Sequence, residues 1–449
     1  MIEMKPPSFS EAFNVWLKIA MYSFGGPAGQ IAVMHKLVVE EKKWLGENRF
    51  LHALNYCMLL PGPEAQQLIT YIGWLMYKTR GGIVAGTLFV LPGFLAILVL
   101  SIVYTLWKEL GFVQGVFYGI KAAVLAIVVG AVVKIGKKAL KNEVMVGIAA
   151  MAFMAIFFFK IPFPLIIVTA GLIGWIGGRV REDKFLVIKG HDDKKDSEEG
   201  VIDRLIQPSN TSFSKTLGTA AFWLALWWLP VLLLVVFFGL DNIFTKQSIF
   251  FSQSALVTFG GAYSVLAYIS QKAVETYGWL TPGEMLDGLG MAETTPGPLI
   301  QVVQFVGFIG AYRNAGALNP VWAGILASVL VTWVTYLPSF FFIFTGAPYI
   351  ERLRGNKNLT TALSAITAAV VGVILNLGVW FSLHTLFGAV GELKFGALHL
   401  PLPDWKTVDW GAVFITVVAL FVYLKLHWDM LKTIGVCALL GLIVHFSIL

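Results

Sequence analysis

The chain has 449 residues, of which 57% are hydrophobic and 13% are charged, and its mean hydropathy is +0.76. Because a soluble domain carries about 25% charged residues, this composition excludes a water-soluble globular protein and predicts an integral protein of the lipid bilayer. The net charge of +7 is typical of basic cytoplasmic loops, so no nucleic-acid partner is expected. The sequence has neither a Walker loop nor a dinucleotide fingerprint, and no cofactor is predicted.

Long uninterrupted apolar runs predict membrane-spanning helices of about 20 residues, not the alternating strands of a barrel. Residues 1–10 lack the basic patch and short apolar core of a cleaved signal peptide. Cys57 and Cys437 lie far apart in apolar stretches, which indicates packing thiols without a disulfide or a metal site. The spans are predicted, in chain order, at 81–107, 112–133, 143–159, 162–178, 219–240, 320–345, 359–382, 410–424 and 433–448. The expected fold class is therefore an all-α integral membrane protein.

A polar segment, 179–215, divides the chain into two halves and is typical of a solvated linker. The two halves align without a gap at one constant offset. The alignment runs from Ser23, which matches Thr258, to Gly81, which matches Gly316. This register places Phe-Gly-Gly, Trp-Leu and Pro-Gly-Pro of one half on the same motifs of the other, which indicates an internal duplication. We predict a first membrane repeat at 1–178, a connecting transmembrane helix at 216–243 and a second repeat at 244–449.

The apolar segments 9–34 and 50–78, with their copies 244–269 and 285–312, are broken by Gly-Gly or Pro-Gly-Pro. Two arrangements are open, since each segment can cross the membrane or enter and return on the same side. The distribution of Lys and Arg favours re-entry and a cytoplasmic linker. In either arrangement an odd number of crossings separates the two copies. The sequence therefore predicts two inverted-topology repeats whose broken helices meet at the membrane midplane.

The breaks are the candidate substrate site. A proline inside a helix removes a hydrogen-bond donor and ends the helix, and the unpaired N–H groups of the next helix attract an anion. Simple kinks or packing glycines are the alternative explanation. The substrate-binding residues predicted in the first copy are Ser23, Gly25, Gly26, Pro27, Gln30, Pro61, Gly62, Pro63, Glu64 and Gln66. Those predicted in the second copy are Thr258, Gly260, Gly261, Thr295, Pro296, Gly297, Pro298 and Gln301.

Ionisable residues inside membrane segments cost free energy to insert into lipid and are often functional. Glu64 follows the first Pro-Gly-Pro, and Glu293 precedes the second. We expect one of them to take up a proton coupled to anion movement; a role as a helix-dipole partner is the alternative. Pairing of one of these carboxylates with Lys121, in the middle of a predicted span, is a further alternative, and the sequence does not decide between them. His35 is expected to be hydrogen-bonded near the interface, and no residue group has the spacing of metal ligands.

These motifs resemble the long-chain, two-domain form of the chromate ion transporter family. The resemblance rests on 23–31, 59–67, Gly81-Gly82 and Leu91-Pro-Gly93 in the first half and on Thr258-Phe-Gly-Gly261 and Thr294-Thr-Pro-Gly-Pro298 in the second. It implies a multi-pass protein of the cytoplasmic membrane that exports chromate with the proton gradient and confers chromate resistance. Pro27 and Glu64 are replaced in the second copy by Ala262 and Leu299, so a fully symmetric set of ligands is not expected.

Several functions are compatible with the residues themselves. Chromate and sulfate are both tetrahedral dianions, so backbone donors alone would discriminate poorly between them, and uptake is as possible as export. A channel or scaffold without coupled transport is another alternative. A membrane-embedded enzyme acting on lipid would require a metal cluster or an activated nucleophile, and neither is visible in the sequence. The oligomeric state is not indicated.

Overall fold

The computed structural model describes residues 7–24, 26–187, 200–203, 212–349 and 357–448. It is 81% helical with almost no sheet, which confirms the prediction of an all-α membrane protein. The helices before the linker are α1 Phe9–Tyr22, α2 Gly26–His35, α3 Glu47–Leu59, α4 Glu64–Trp107, α5 Gly111–Ala139, α6 Glu143–Phe159, α7 Phe163–Val180 and α8 Glu182–Phe185. Those after it are α9 Phe213–Phe238, α10 Ile243–Leu256, α11 Ala262–Gln271, α12 Pro282–Thr294, α13 Val302–Arg313, α14 Pro320–Gly346, α15 Lys357–Leu386, α16 Trp410–Leu420 and α17 Met430–Ile448.

Within the described residues, seven helices are long and apolar enough to cross a membrane, and three shorter apolar helices accompany them. Each of the nine predicted spans overlaps one of these helices, so this part of the prediction is confirmed. Much of the predicted linker, at 188–199 and 204–211, lies outside the described residues. An antiparallel hairpin of β1 Val390–Phe395 and β2 Leu398–Pro403 was not predicted.

The chain forms two compact units, and each takes residues from both predicted repeats. Unit 1 comprises 1–98, 189–262 and 295–356, and in it α14 packs against α9, α10 and α13. Unit 2 comprises 99–188, 263–294 and 357–449, and in it α15 packs against α5, α6 and α7.

Small residues let the helices of unit 2 approach closely. A Cβ placed on Gly119 of α5 would overlap the backbone of Cys437 in α17, and Gly441 of α17 lies equally close to Gly115 and Gly119. In the same way Gly372 of α15 lies against the backbone of Ala149 in α6. Van der Waals packing at such contacts replaces the hydrophobic effect, which does not drive helices together inside lipid.

Helix α4 is two helices folded against each other. Tyr77 and Lys78 have non-helical backbone angles, and a Cβ on Gly73 would overlap Gly81, eight residues along the chain. The Lys78 ammonium lies 4.6 Å from the centre of the Trp74 ring. The chain therefore reverses at 77–78, so that residues before and after the turn run side by side in unit 1.

Local structure repeats with the offset that aligns the two halves. Helices α3 and α12 cover matching residues, 47–59 and 282–294. A π-helical turn follows both α2 and α11, with equivalent backbone bonds from Trp44 N to Val38 O and from Trp279 N to Ala273 O. Such agreement in backbone geometry is what a duplicated sequence is expected to produce.

Candidate substrate site at the helix breaks

Both broken segments of the first copy fold back on themselves. In the first, the Lys42 ammonium beyond α2 forms an ion pair of 2.8 Å with Glu11 in the first turn of α1. In the second, the rings of Tyr56 in α3 and Tyr71 in α4 are 6.0 Å apart. A straight helix would separate those residues by about 22 Å, at 1.5 Å per residue. Each segment is therefore a hairpin of two half-helices with the break at its tip.

The tips of the two copies exchange backbone hydrogen bonds in unit 1. Gly62 N donates to the Thr258 carbonyl at 2.9 Å, and Gly297 N donates to the Ser23 carbonyl at 2.9 Å. Ser23 and Thr258 are equivalent in the aligned halves, as are Gly62 and Gly297, so each Pro-Gly-Pro break bonds the Phe-Gly-Gly break of the other copy. The Gln30 amide also donates to the Gly297 carbonyl at 2.6 Å. These five predicted residues lie together.

Glycine is required at these tips by backbone geometry. Gly26 and Gly261, which are equivalent, have φ of 72° and 96°, and Gly62 and Gly297 have φ of 128° and 108°. Such angles are available to glycine at little cost. A Cβ on Gly62 would also lie 2.7 Å from the Gln67 amide nitrogen. Gly260 has φ of 72°, and its equivalent, Gly25, lies outside the described residues.

Helix N-termini follow the breaks, as predicted. Helix α4 begins at Glu64 directly after Pro63, and α2 begins at Gly26 with Pro27 in its first turn. After Pro298 the chain makes one 3₁₀ turn and continues as α13. The other prolines, Pro61 and Pro296, are half-buried. The free N–H groups of each first turn form a partly positive end that suits an anion.

Buried glutamine side chains lie beside both Pro-Gly-Pro breaks, which belong to unit 1. Gln66 donates to Thr70 Oγ1 at 3.3 Å, and Gln301 donates to Gln304 Oε1 at 2.5 Å. The side-chain carbonyl oxygens of Gln66 and Gln301 are buried without a hydrogen-bond partner. Buried polar atoms are seldom left unpaired, so these amides have hydrogen-bonding capacity for a ligand or water. Thr295, beside the second break, is also buried.

A row of hydroxyls on α14 was missed by the sequence analysis. Thr332 accepts a bond of 3.2 Å from Gln301, and Ser339 Oγ lies 2.9 Å from the position that a Cβ on Gly62 would take. Thr335 lies between them on the same helix face, because residues three, four and seven apart are neighbours. The hydroxyls of Thr335 and Ser339 are buried without partners. Their one-sided spacing in an otherwise apolar span was the signal that could have identified them.

The two candidate proton carriers belong to different units. Glu64 stands in the first turn of α4 in unit 1 and is half-buried. Glu293 is 3% exposed in α12 of unit 2 and accepts a short hydrogen bond from the Tyr263 hydroxyl. The structure places a third carboxylate beside Lys121, whose ammonium lies 3.5 Å from Asp287. Asp287 is itself an ionisable residue in the segment 285–312, and the same rule should have identified it.

The remaining sequence expectations concern metals and thiols. His35 bonds Glu40 at 3.0 Å and Glu47 at 2.7 Å, consistent with a hydrogen-bonded role. Among the described residues no group of three or more His, Cys, Asp or Glu side chains is placed to hold a metal ion. Cys57 and Cys437 are buried and free.

The profile of the family described as "Chromate transporter" matches residues 10–175 and 245–442. The chain belongs to the chromate transporter family. It is therefore a multi-pass membrane transporter and not an enzyme. The second matched segment begins 235 residues after the first, since 245 less 10 is 235, and this is the offset between Ser23 and Thr258.

Individual relatives agree with the family. A chromate transport protein of Pseudomonas aeruginosa is 30% identical over 82% of this chain and 80% of its own length. A probable chromate transport protein of Synechococcus elongatus is 25% identical over 88% of this chain and 92% of its own. An uncharacterized transporter of Bacillus subtilis is 28% identical over 31% of this chain but 71% of its own length, so it is close in size to a single repeat. No solved structure matches the chain.

Proposed function

We propose that this protein exports chromate across the cytoplasmic membrane, coupled to the proton gradient, and thereby confers chromate resistance. The observation that carries the proposal is the reciprocal pair of bonds, Gly62 to Thr258 and Gly297 to Ser23, which gathers helix N-termini of both copies in unit 1. Relatives over most of the chain carry the name chromate transport protein. A tetrahedral dianion needs several converging donors, and helix ends, buried amides and hydroxyls supply them without a full positive charge.

The architecture that we propose is a pair of inverted repeats with a cytoplasmic linker. The hairpins of the first copy are the re-entrant segments of this arrangement, with their tips near the midplane. Backbone that is not helical is tolerated at that depth only where protein or a watery cavity surrounds it. The mutual bonds between the tips support this proposal, because the tips of each copy are covered by protein of the other.

Proton coupling is assigned to Glu64 or Glu293. A glutamine at either position keeps the shape of the side chain but cannot change its charge with pH. We expect Glu64→Gln or Glu293→Gln to retain chromate binding and to abolish the dependence of chromate flux on the pH gradient. The Tyr263 hydroxyl holds Glu293, so Tyr263→Phe should weaken coupling if Glu293 is the carrier. Unchanged coupling in both glutamine variants would exclude these residues.

The decisive experiment is flux of radiolabelled chromate and sulfate in everted membrane vesicles with an imposed pH gradient. We expect chromate accumulation to exceed that of vesicles without the protein and to collapse with a protonophore. Accumulation that persists without the gradient would indicate a channel. Faster transport of sulfate than of chromate would favour the alternative that sulfate or another oxyanion is the substrate. Absence of flux of either anion would contradict the proposal.

A further inference from the structure

Unit 2 contains a buried ion pair that the site described above does not use. The Lys121 ammonium of α5 lies 3.5 Å from Asp287 Oδ1 of α12, and the Tyr104 hydroxyl donates to Asp287 Oδ2 at 2.8 Å. The Asp287 side chain is 4% exposed and that of Lys121 is 29% exposed. Asp287 Oδ1 is buried without a hydrogen-bond partner. The carboxylate is therefore enclosed, while part of the Lys121 side chain is not covered by protein.

The geometry of this pair is loose for its depth. A charge-assisted hydrogen bond is usually about 2.7–2.9 Å long, so the pair gains less than the best attraction for the cost of desolvating two charges. The Lys121 Cα is ten residues beyond Gly111, the first residue of α5, or about 15 Å along the helix. Lys121 thus lies well inside a helix that is long and apolar enough to cross the membrane. A loosely held cation at this depth is well suited to exchange its counter-ion.

A neighbouring pair one turn away is similar in burial but has a carboxylate with a structural role. Glu284 also lies on α12 and pairs with Lys108 at 3.2 Å. Glu284 Oε2 accepts from Thr281 N, and Thr281 Oγ1 accepts from Glu284 N, which is the reciprocal arrangement of a capping box. Glu284 therefore caps α12, whereas Asp287 is not part of this capping box. Lys108 and Glu284 provide a matched control.

We propose that Lys121 is a second anion-binding residue of the transporter and that Asp287 is its resident counter-ion, which a tetrahedral oxyanion displaces. The inference rests on the proposed function and extends it to a site in unit 2. When the oxyanion takes the ammonium, the Lys121–Asp287 ion pair opens and Asp287 keeps its hydrogen bond from the Tyr104 hydroxyl. The charged and titratable groups acting on Asp287 are Lys121 from α5, Tyr104 from α4 and Glu284 from α12 itself.

Transport by charge variants tests the exchange. We expect Lys121→Gln to lose chromate flux by about tenfold or more, as when one partner of a buried charge pair is removed, and Lys121→Arg to retain much of it. Asp287→Asn should retain flux, because the ammonium is then free to bind the oxyanion. The double variant Lys121→Gln/Asp287→Asn should be as inactive as Lys121→Gln. Glu284→Gln, which preserves the capping box, should leave flux and its pH dependence unchanged.

A structural ion pair would give the opposite pattern. In that case the double variant would recover the flux that each single variant loses, and the inference would be overturned. Normal flux in Lys121→Gln would overturn it as well. Wild-type protein is assayed in parallel, and absence of wild-type chromate flux would count against the proposed function. Normal wild-type flux, together with recovery in the double variant or normal flux in Lys121→Gln, would count against this inference alone.

A measurement on the wild-type protein avoids variants that fail to fold. Purified protein is treated with an amine-acetylating reagent with and without chromate or sulfate, and modification of Lys121 and Lys108 is quantified by mass spectrometry. We expect the oxyanion to protect Lys121 several-fold and to leave Lys108 unchanged. Equal modification of Lys121 with and without either anion would overturn the inference.

Discussion

Single residues at the hairpin tips combine a backbone requirement with a chemical one. Gly62 and Gly297 adopt φ values above 100°, and each donates its N–H to the other copy. A side chain at either position would strain the backbone, and at Gly62 its Cβ would also overlap Gln67 and Ser339. The two glycines therefore permit the backbone bonds that join the copies.

We predict that Gly62→Ala and Gly297→Ala destabilise the protein by about 1–3 kcal/mol each, because the backbone conformation is unfavourable for alanine. Chromate flux should fall with the loss of stability. The measurement is thermal unfolding in detergent together with vesicle flux. Gly218→Ala in α9 is the control, since nothing lies within 4 Å of its Cβ position and alanine favours a helix. Equal melting temperatures for Gly62→Ala and wild type would contradict the prediction.

At the scale of the element, the β-hairpin shows how a loop is held on a helical unit. It borders a cavity of about 210 Å³ that is lined also by α6, α11 and α15. Lys160, which ends α6 in a left-handed conformation, forms an ion pair of 2.8 Å with Glu392 of β1. The hydrogen bond from Lys160, with further bonds from His399 and Lys394, lowers the pKa of Glu392 to about 2.

The sign of the resulting pH dependence follows from this lowered pKa. The ionised carboxylate stabilises the folded hairpin at pH values above about 4.5, the ordinary pKa, and the stabilisation is lost as the pH falls toward 2. We predict that Glu392→Gln lowers the melting temperature relative to wild type. This difference should be constant between pH 7 and pH 5 and should become smaller below pH 5. The exposed Glu109 provides the control variant, Glu109→Gln. A difference between wild type and Glu392→Gln that grows on acidification would contradict this assignment.

At the scale of the whole molecule, the proposed inverted repeats make a prediction about sidedness. The linker is expected on the cytoplasmic side and the turn between β1 and β2 on the outer side. With both native cysteines replaced, Ala397→Cys in the turn should react with a membrane-impermeant maleimide in intact cells. Ser197→Cys in the linker should react only after permeabilisation. Reaction of both from the same side would exclude the topology, and the cysteine-free protein gives the background.

The sequence by itself determined that this is a membrane protein, where its helical spans lie and where those helices are broken. Apolar length and the effects of proline and glycine on the backbone are local properties, so they can be read from neighbouring residues. The repeated motifs likewise predicted matching local structure, as the π-helical turns after α2 and α11 demonstrate.

Only the tertiary structure decided which distant residues meet. It paired Lys121 with Asp287, where the sequence suggested Glu64 or Glu293. It also placed Ser339 of α14 beside Gly62 and bonded each Pro-Gly-Pro break to the other copy. These contacts depend on how helices far apart in the chain pack, and the periodicity of a single segment contains no information about its partner.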